Sequence, residues 1–154
     1  MSVAADTVHA SAAVVGGRGV LIRGRSGSGK SSLLLALLTT VPDAVLVADD
    51  RVALSAEAGR LSAAVPAAIA GQMEVRGLGI VQRPHVSPVL VDLVVDLLPL
   101  EECPRLPAPD ERATTLVGVA VPRVFIAVGA ADAPVRVLVA LAEIAHEFSV
   151  KSLI

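Results

Sequence analysis

The chain has no tryptophan, no tyrosine and only two phenylalanines, Phe125 and Phe148, in 154 residues. It therefore offers no aromatic platform on which the bases of a single-stranded nucleic acid could stack. A formal net charge of −2 also denies it the basic footprint that a phosphate polymer needs. Its single cysteine, Cys103, excludes both an internal disulfide and a zinc cluster built on cysteines. Cys103 stands in Glu101-Glu102-Cys103-Pro104, where carboxylates raise a thiol's pKa, so it reads as structural. No uncharged apolar run reaches the roughly 18 residues that a membrane span requires. The N-terminus lacks a basic segment followed by an apolar one, so no secretory signal is evident. The expectation is a cytoplasmic protein with neither nucleic acid nor membrane as a partner.

Apolar residues make up 54% of the chain, mostly Ala, Val and Leu. A core built from them is aliphatic, with the two phenylalanines as its only aromatics. Residues 1–154 read as a single domain, long enough to bury roughly two thirds of its unfolded surface.

Lysine is scarce as well. Lys30 and Lys151 are the only two, and arginine carries the remaining positive charge. Lys30 falls in Gly24-Arg25-Ser26-Gly27-Ser28-Gly29-Lys30-Ser31, which fits the phosphate-cradling pattern Gly-x4-Gly-Lys-Ser/Thr. The flanks suit it: Gly19 to Arg23 reads as a short buried strand, and Ser32 to Leu38 as an apolar helix. Glycines let the backbone curl so that successive N–H groups point inward, and the helix start adds a positive dipole end. In such a loop Lys30 neutralises charge on the β- and γ-phosphates of a nucleotide, and the Ser31 hydroxyl ligates Mg²⁺. A chance Gly/Ser loop is the bland alternative, and the scarcity of lysine argues against it.

Elsewhere, Thr7 to Val15 reads as a strand closed by the turn Gly16–Gly19, forming a hairpin that leads into the loop. Ala44 to Ala48 is a continuous apolar strand, as at the centre of a sheet covered on both faces, and it ends in Asp49-Asp50. Strands follow at 51–55 and 60–65, around the turn Glu57-Ala58-Gly59. Residues 82–88 read as loop, and 89–98 as a strand interrupted by Asp92 and Asp96. The proline-rich stretch 99–110 excludes regular structure. Strands at 113–120 and 122–128 precede a helix over about 134–148, capped by Asp132.

Nucleotide chemistry needs carboxylates for metal and for proton transfer. Asp49 and Asp50 end an apolar strand downstream of the loop, and in a parallel sheet both strand ends open on one edge. One carboxylate there can hold Mg²⁺ while the other accepts a proton from an attacking hydroxyl. A solvated acidic turn is the plainer alternative. Taken singly, Glu74 reads as a surface residue, His9 as a satisfied strand histidine, Arg105 as a solvated loop arginine, and His85 and His146 as structural.

Taken together they resemble a known family. Gly24–Ser31, Val47-Ala48-Asp49-Asp50-Arg51-Val52 and Glu74-Val75-Arg76-Gly77-Leu78-Gly79-Ile80 are similar, in order, to segments of the bifunctional HPr kinase/phosphorylases, over about residues 5–106. His9, 15 residues before Gly24, falls where that family places its active-site histidine. The resemblance implies an α/β P-loop domain of the HPr kinase/phosphoenolpyruvate carboxykinase type, with a mixed central sheet and flanking helices. It implies ATP-dependent phosphorylation of a serine on an HPr-like phosphocarrier protein, reversed in many members by inorganic phosphate. By the same resemblance Lys30 contacts phosphate, and Ser31 and Glu74 bind Mg²⁺. Asp50 exchanges the proton, His9 and Asp49 support it, and Arg105 matches a later active-site arginine. A hexamer is implied too.

The sequence departs from the family at three places. Longer members carry an additional N-terminal domain, whereas this sequence opens at the catalytic part, as do forms from alphaproteobacteria whose partner belongs to a regulatory phosphotransfer system. Ser32 stands where the family has an acidic residue after the loop serine. The Pro-Val-x-Pro-Gly-Arg-like segment tied to the phosphorylase direction has no counterpart in Gly129–Arg136, so the kinase direction is better supported than its reverse. Two other readings stay open: a non-catalytic nucleotide-binding regulator, and a P-loop enzyme acting on a small molecule.

Overall fold

Short apolar runs of Val, Leu and Ala, punctuated by Gly and Pro, fill most of this chain, and its fold is mostly sheet. The computed structural model describes residues 6–152, with side chains described over 7–146. In chain order the elements are β1 (Asp6–His9), β2 (Ser11–Val15), β3 (Arg18–Gly24), α1 (Lys30–Thr40), β4 (Val45–Ala48), β5 (Arg51–Glu57), β6 (Arg60–Ala64), β7 (Gln72–Val75), β8 (Gly79–Gln82), β9 (Val89–Leu98), β10 (Ala113–Leu116), β11 (Val119–Ala127) and α2 (Ala133–Ser152). Nine strands make one sheet in the order β1-β5-β6-β9-β3-β2-β4, extended by β11 beside β9 and β10 beside β11. β7 and β8 form a separate hairpin. The large sheet is mixed: β3·β9 and β9·β11 are parallel, and the other pairs are antiparallel.

Successive strand residues face opposite ways, and both faces are covered. Val20, Ile22, Leu93, Val95 and Leu97 join Leu33, Leu34 and Leu37 of α1 and Val137 and Leu141 of α2 in one core. Leu21, Val91 and Val94 join Val47, Val52, Leu54 and Leu61 in the other. Burying each such leucine stabilises the fold by about 1.5–3 kcal/mol. The aspartates that interrupt β9 are partners for arginines and for a backbone N–H. Asp96 accepts two hydrogen bonds from Arg23, at 2.8 and 2.9 Å, and lies 3.6 Å from Arg123. Asp92 accepts the Gly19 N–H at 3.0 Å and the Arg60 guanidinium at 3.2 Å.

Several sequence expectations are corrected. The strand expected over 7–15 is two strands parted at Ala10, whose N–H turns to the Asp50 carbonyl at 3.2 Å. β4 ends the strand order instead of lying centrally. Its apolar run reflects cover on two faces, with Leu46 in one core and Val47 and Ala48 in the other. Its outer edge is partly closed by Val86, whose N–H donates to the Leu46 carbonyl at 2.9 Å. The break expected at residue 121, between strands at 113–120 and 122–128, falls at Val117-Gly118, both at positive φ, as a two-residue hairpin turn requires. Pro122 lies inside β11, just before Arg123, where pairing to β9 begins. The proline-rich stretch holds short 3-10 turns at Leu100–Glu102 and Pro109–Arg112. Asp132 starts α2 through its carbonyl, which accepts the Arg136 N–H at 3.0 Å, while its carboxylate binds the Arg136 side chain at 2.9 Å. Phe125 is not a core residue but sits half-buried under the Arg123 guanidinium, 4.5 Å from the ring centroid. The side chain of Phe148 lies outside the described residues. No described helix is long and apolar enough to cross a membrane.

β2 is antiparallel to both β3 and β4, so those two strands run the same way with β2 between them. Their C-terminal ends, at Gly24 and Ala48, open on one edge of the sheet. The shared edge expected of parallel neighbours is reached through an intervening antiparallel strand.

Candidate active site

Between Gly24, the last residue of β3, and Lys30, the first of α1, the chain turns tightly. Gly29 caps the helix in the left-handed region, at φ 94°, which glycine adopts without steric cost. A Cβ on Gly24 would lie 2.3 Å from Ser28 Oγ and 3.1 Å from its Cβ, so any larger residue there would displace Ser28. Among the described residues, the backbone N–H groups of Gly27, Gly29, Lys30 and Ser31 find no backbone acceptor outside the helix. Free donors at a helix start carry partial positive charge and can receive an anion. Lys30 Nζ folds back over this loop and donates to the carbonyls of Gly24, at 2.8 Å, and Arg25, at 3.0 Å.

Across from the loop stand the two aspartates, in different environments. Asp49 is 6% exposed, and its Oδ1 accepts the hydroxyls of Ser11 and Ser31, each at 2.8 Å. Asp50 leaves its side chain 78% exposed. Its backbone is at φ 72°, inside a three-residue turn closed by the Arg51 N–H on the Asp49 carbonyl at 2.9 Å. Such a conformation costs a non-glycine residue on the order of 1–3 kcal/mol and tends to occur where function fixes a side chain. His9 Nδ1 is 3.9 Å from Asp50 Oδ1, and Arg51 approaches His9 Nε2 at 3.2 Å. A guanidinium can only donate, so Nε2 accepts and neutral His9 carries its proton on Nδ1, facing Asp50.

The β7–β8 hairpin closes the third side. Glu74, exposed at its rim, joins Gln72, Met73, Arg76 and Ile80 in lining a cavity of about 990 Å³. The loop, Lys30, Ser31, His9, Asp49 and Asp50 line the same cavity. Arg105 does not: it lies exposed on the proline-rich segment, outside the cavity lining. That segment reaches the loop through Glu102, 3.6 Å from Arg25. Sequence reasoning missed Ser11 and Gln72 and gave no role to Arg51 and Arg76, although both stand in the segments that carry the family resemblance. A serine opening the otherwise apolar strand Ser11–Val15 was the available signal for the first.

A divalent cation can be tested against these groups. Ser31, Asp49 and Glu74 offer oxygen ligands, which suit a hard ion. Among the described residues no cluster of three or more His, Cys, Asp or Glu forms a closed cage. Magnesium bound partly through substrate phosphates needs none, so the residues fit it. Cys103 is apart from this chemistry. Burial pushes its thiol pKa up; a backbone hydrogen bond at Leu98 and the charge of Arg136 pull it down, and the neighbouring glutamates add to the rise.

The HPr serine kinase C-terminal domain model matches residues 2–152. The chain belongs to that family. This kinase-domain match extends well past residue 106, where the sequence resemblance faded. The chain is 43% identical over 70 residues to the HPr kinase/phosphorylase of Clostridium tetani, covering 46% of this chain and 22% of that protein. It is 34% identical over 122 residues to that of Geobacter sulfurreducens, covering 68% and 35%. It thus spans about a fifth to a third of the length of these relatives. The solved Hpr(Ser) kinase/phosphatase of Coxiella burnetii superposes with a TM-score of 0.77 at 27% identity, covering 96% of this chain and 94% of that one. The α/β fold, with its mixed sheet and two helices, is therefore that of the HPr kinase catalytic domain.

Proposed function

We propose that this domain is an ATP-dependent protein-serine kinase acting on an HPr-like phosphocarrier protein of a bacterial phosphotransferase system. One observation carries the reading: a helix-start loop with free donors and a lysine faces, across one cavity, a buried and an exposed aspartate. The names of the Clostridium, Geobacter and Coxiella relatives support the same activity.

In this reading Gly24–Ser31 is a P-loop that takes the nucleotide's phosphates through its backbone donors. Lys30 exchanges its two loop carbonyls for phosphate oxygens. Ser31 and Glu74 hold Mg²⁺, with Asp49 behind Ser31. When bound, that ion neutralises charge gathering on the phosphates. The acceptor's serine oxygen bonds to the γ-phosphorus as the bond to ADP breaks, and the serine proton passes to Asp50. His9, with its Nδ1–H toward Asp50, steadies the carboxylate. Arg105 contributes only if the proline-rich segment moves over the cavity. Phosphorolysis of the product should be weak, because Gly129–Arg136 lacks the matching segment and Arg136 is tied to Asp132.

Incubation with radiolabelled ATP and a purified HPr-like protein tests this. Label on the protein, lost in Asp50→Asn, supports the kinase. Label on a metabolite supports a small-molecule enzyme. ATP binding without transfer to either supports a nucleotide-binding regulator.

A further inference from the structure

Asp49 Oδ1 is shared by two serine hydroxyls from distant parts of the chain, Ser11 on β2 and Ser31 on α1, each donating at 2.8 Å. Ser31 lines the cavity; Ser11 is 0% exposed and can touch no ligand. A serine hydroxyl has one proton and two lone pairs. With its proton committed to Asp49, Ser31 directs its lone pairs elsewhere, as a hydroxyl must to ligate a cation. The orientation of Ser31 thus follows that of Asp49. Among the described residues, the one side-chain donor fixing Asp49 besides Ser31 is Ser11.

We infer that Ser11 is a positioning residue for the cation site: it locks the buried Asp49 carboxylate, which in turn aims Ser31. The inference rests on the reading of Ser31 as a magnesium ligand. The geometry favours it over simple satisfaction of a buried serine. β2 delivers Ser11 to the same carboxylate oxygen that Ser31 uses, so the two hydroxyls constrain one another through it. Were Ser11 absent, Asp49 would keep a single donor, the one that must also serve the ion. Such outer partners typically govern metal affinity by about 10–100-fold when removed.

The test measures ATP affinity of the full chain by calorimetry, once with Mg²⁺ and once in EDTA. Wild type is expected to bind ATP more tightly with Mg²⁺. In Ser11→Ala the affinity in EDTA should be unchanged, while the gain from Mg²⁺ should fall about 10–100-fold. Ser11→Thr, which keeps the hydroxyl on a strand-compatible residue, should restore most of that gain. If Ser11→Ala fails to fold, Ser11→Cys, a near-isosteric weak donor, should show the same selective loss at smaller size. A full Mg²⁺ gain in the variant, or equal losses with and without Mg²⁺, would overturn the role of Ser11. A wild-type protein with no Mg²⁺ gain would sink the cation reading itself, and this inference with it.

Discussion

Replacing Lys30 by methionine keeps the apolar stem and removes only the charge. Without nucleotide, Lys30 Nζ makes two hydrogen bonds to its own loop, one part-buried to Gly24 and one exposed to Arg25. Hydrogen bonds to charged groups contribute about 1.5–3 kcal/mol when well sheltered, but water can replace the ammonium at these carbonyls. The expected loss of stability is therefore only ~1 kcal/mol, or about 2–4 °C in Tm for a domain of this size. In the proposed reading, the ammonium of nucleotide-bound protein would meet phosphate oxygens, a charge-assisted contact of about 1.5–3 kcal/mol. That corresponds to roughly 10–150-fold in Kd. Because Lys30 must first leave its carbonyls, the net effect should lie toward the lower end. Calorimetry with ATP and thermal unfolding of the same samples separate the two terms. Unchanged ATP affinity in Lys30→Met would mean that Lys30 never leaves its loop, and the phosphate-binding argument would fail.

Asp96→Ala removes the carboxylate between Arg23 and Arg123 and leaves two guanidinium groups facing each other. The expected cost is about 3–5 kcal/mol in urea unfolding, and a loss under 1 kcal/mol would show that the network is dispensable. Ser28→Ala removes a buried hydroxyl with no partner among the described residues and should raise stability by ~1 kcal/mol; a lower Tm would reveal an unrecognised bond. Because burial raises the Cys103 thiol pKa, less thiolate is present at any given pH. Alkylation by iodoacetamide at pH 8 should therefore be slower than for a free thiol, with the rate's midpoint displaced to higher pH, and equal rates would contradict the assignment.

Local sequence made the loop legible. Gly24, Gly29 and Lys30 act within eight consecutive residues, so their spacing alone carries the geometry. Strand ends were legible where an apolar run met charge, as at Ala48-Asp49. What escaped depends on distant pairing. Ser11 and Asp49 are 38 residues apart, and Arg23 and Asp96 are 73 apart. Nothing local distinguishes a strand aspartate facing water from one awaiting an arginine. β4 looked central because two-sided burial and central position leave the same apolar signature, and here α1 and the second core supply the cover. Pro122, expected to open a strand, lies inside β11, since a missing N–H is harmless just before pairing with β9 begins. Positive φ at Val117 has no sequence signal at all.

Asp49 and Asp50 are chemically identical neighbours whose order in the sequence cannot tell support from base, whereas their surroundings can. Asp49 is buried with two donors on one oxygen; Asp50 is exposed, held out by a turn at φ 72°, with the His9 proton facing it. A group that must take a proton from an arriving protein side chain has to be reachable, which favours Asp50. The choice of variant then decides what the experiment can mean. Asp50→Ala would confound proton transfer with backbone strain, because alanine tolerates positive φ poorly. Asparagine is nearly isosteric with aspartate and tolerates positive φ at least as well, so Asp50→Asn keeps the turn and removes only the proton acceptor. Loss of a general base typically slows transfer by ~10²–10⁴. Asp50→Asn should therefore bind ATP normally and transfer phosphate to the acceptor serine slower by about that factor. Wild-type transfer in Asp50→Asn would remove Asp50 from the chemistry and leave its strained turn as a feature of the fold alone.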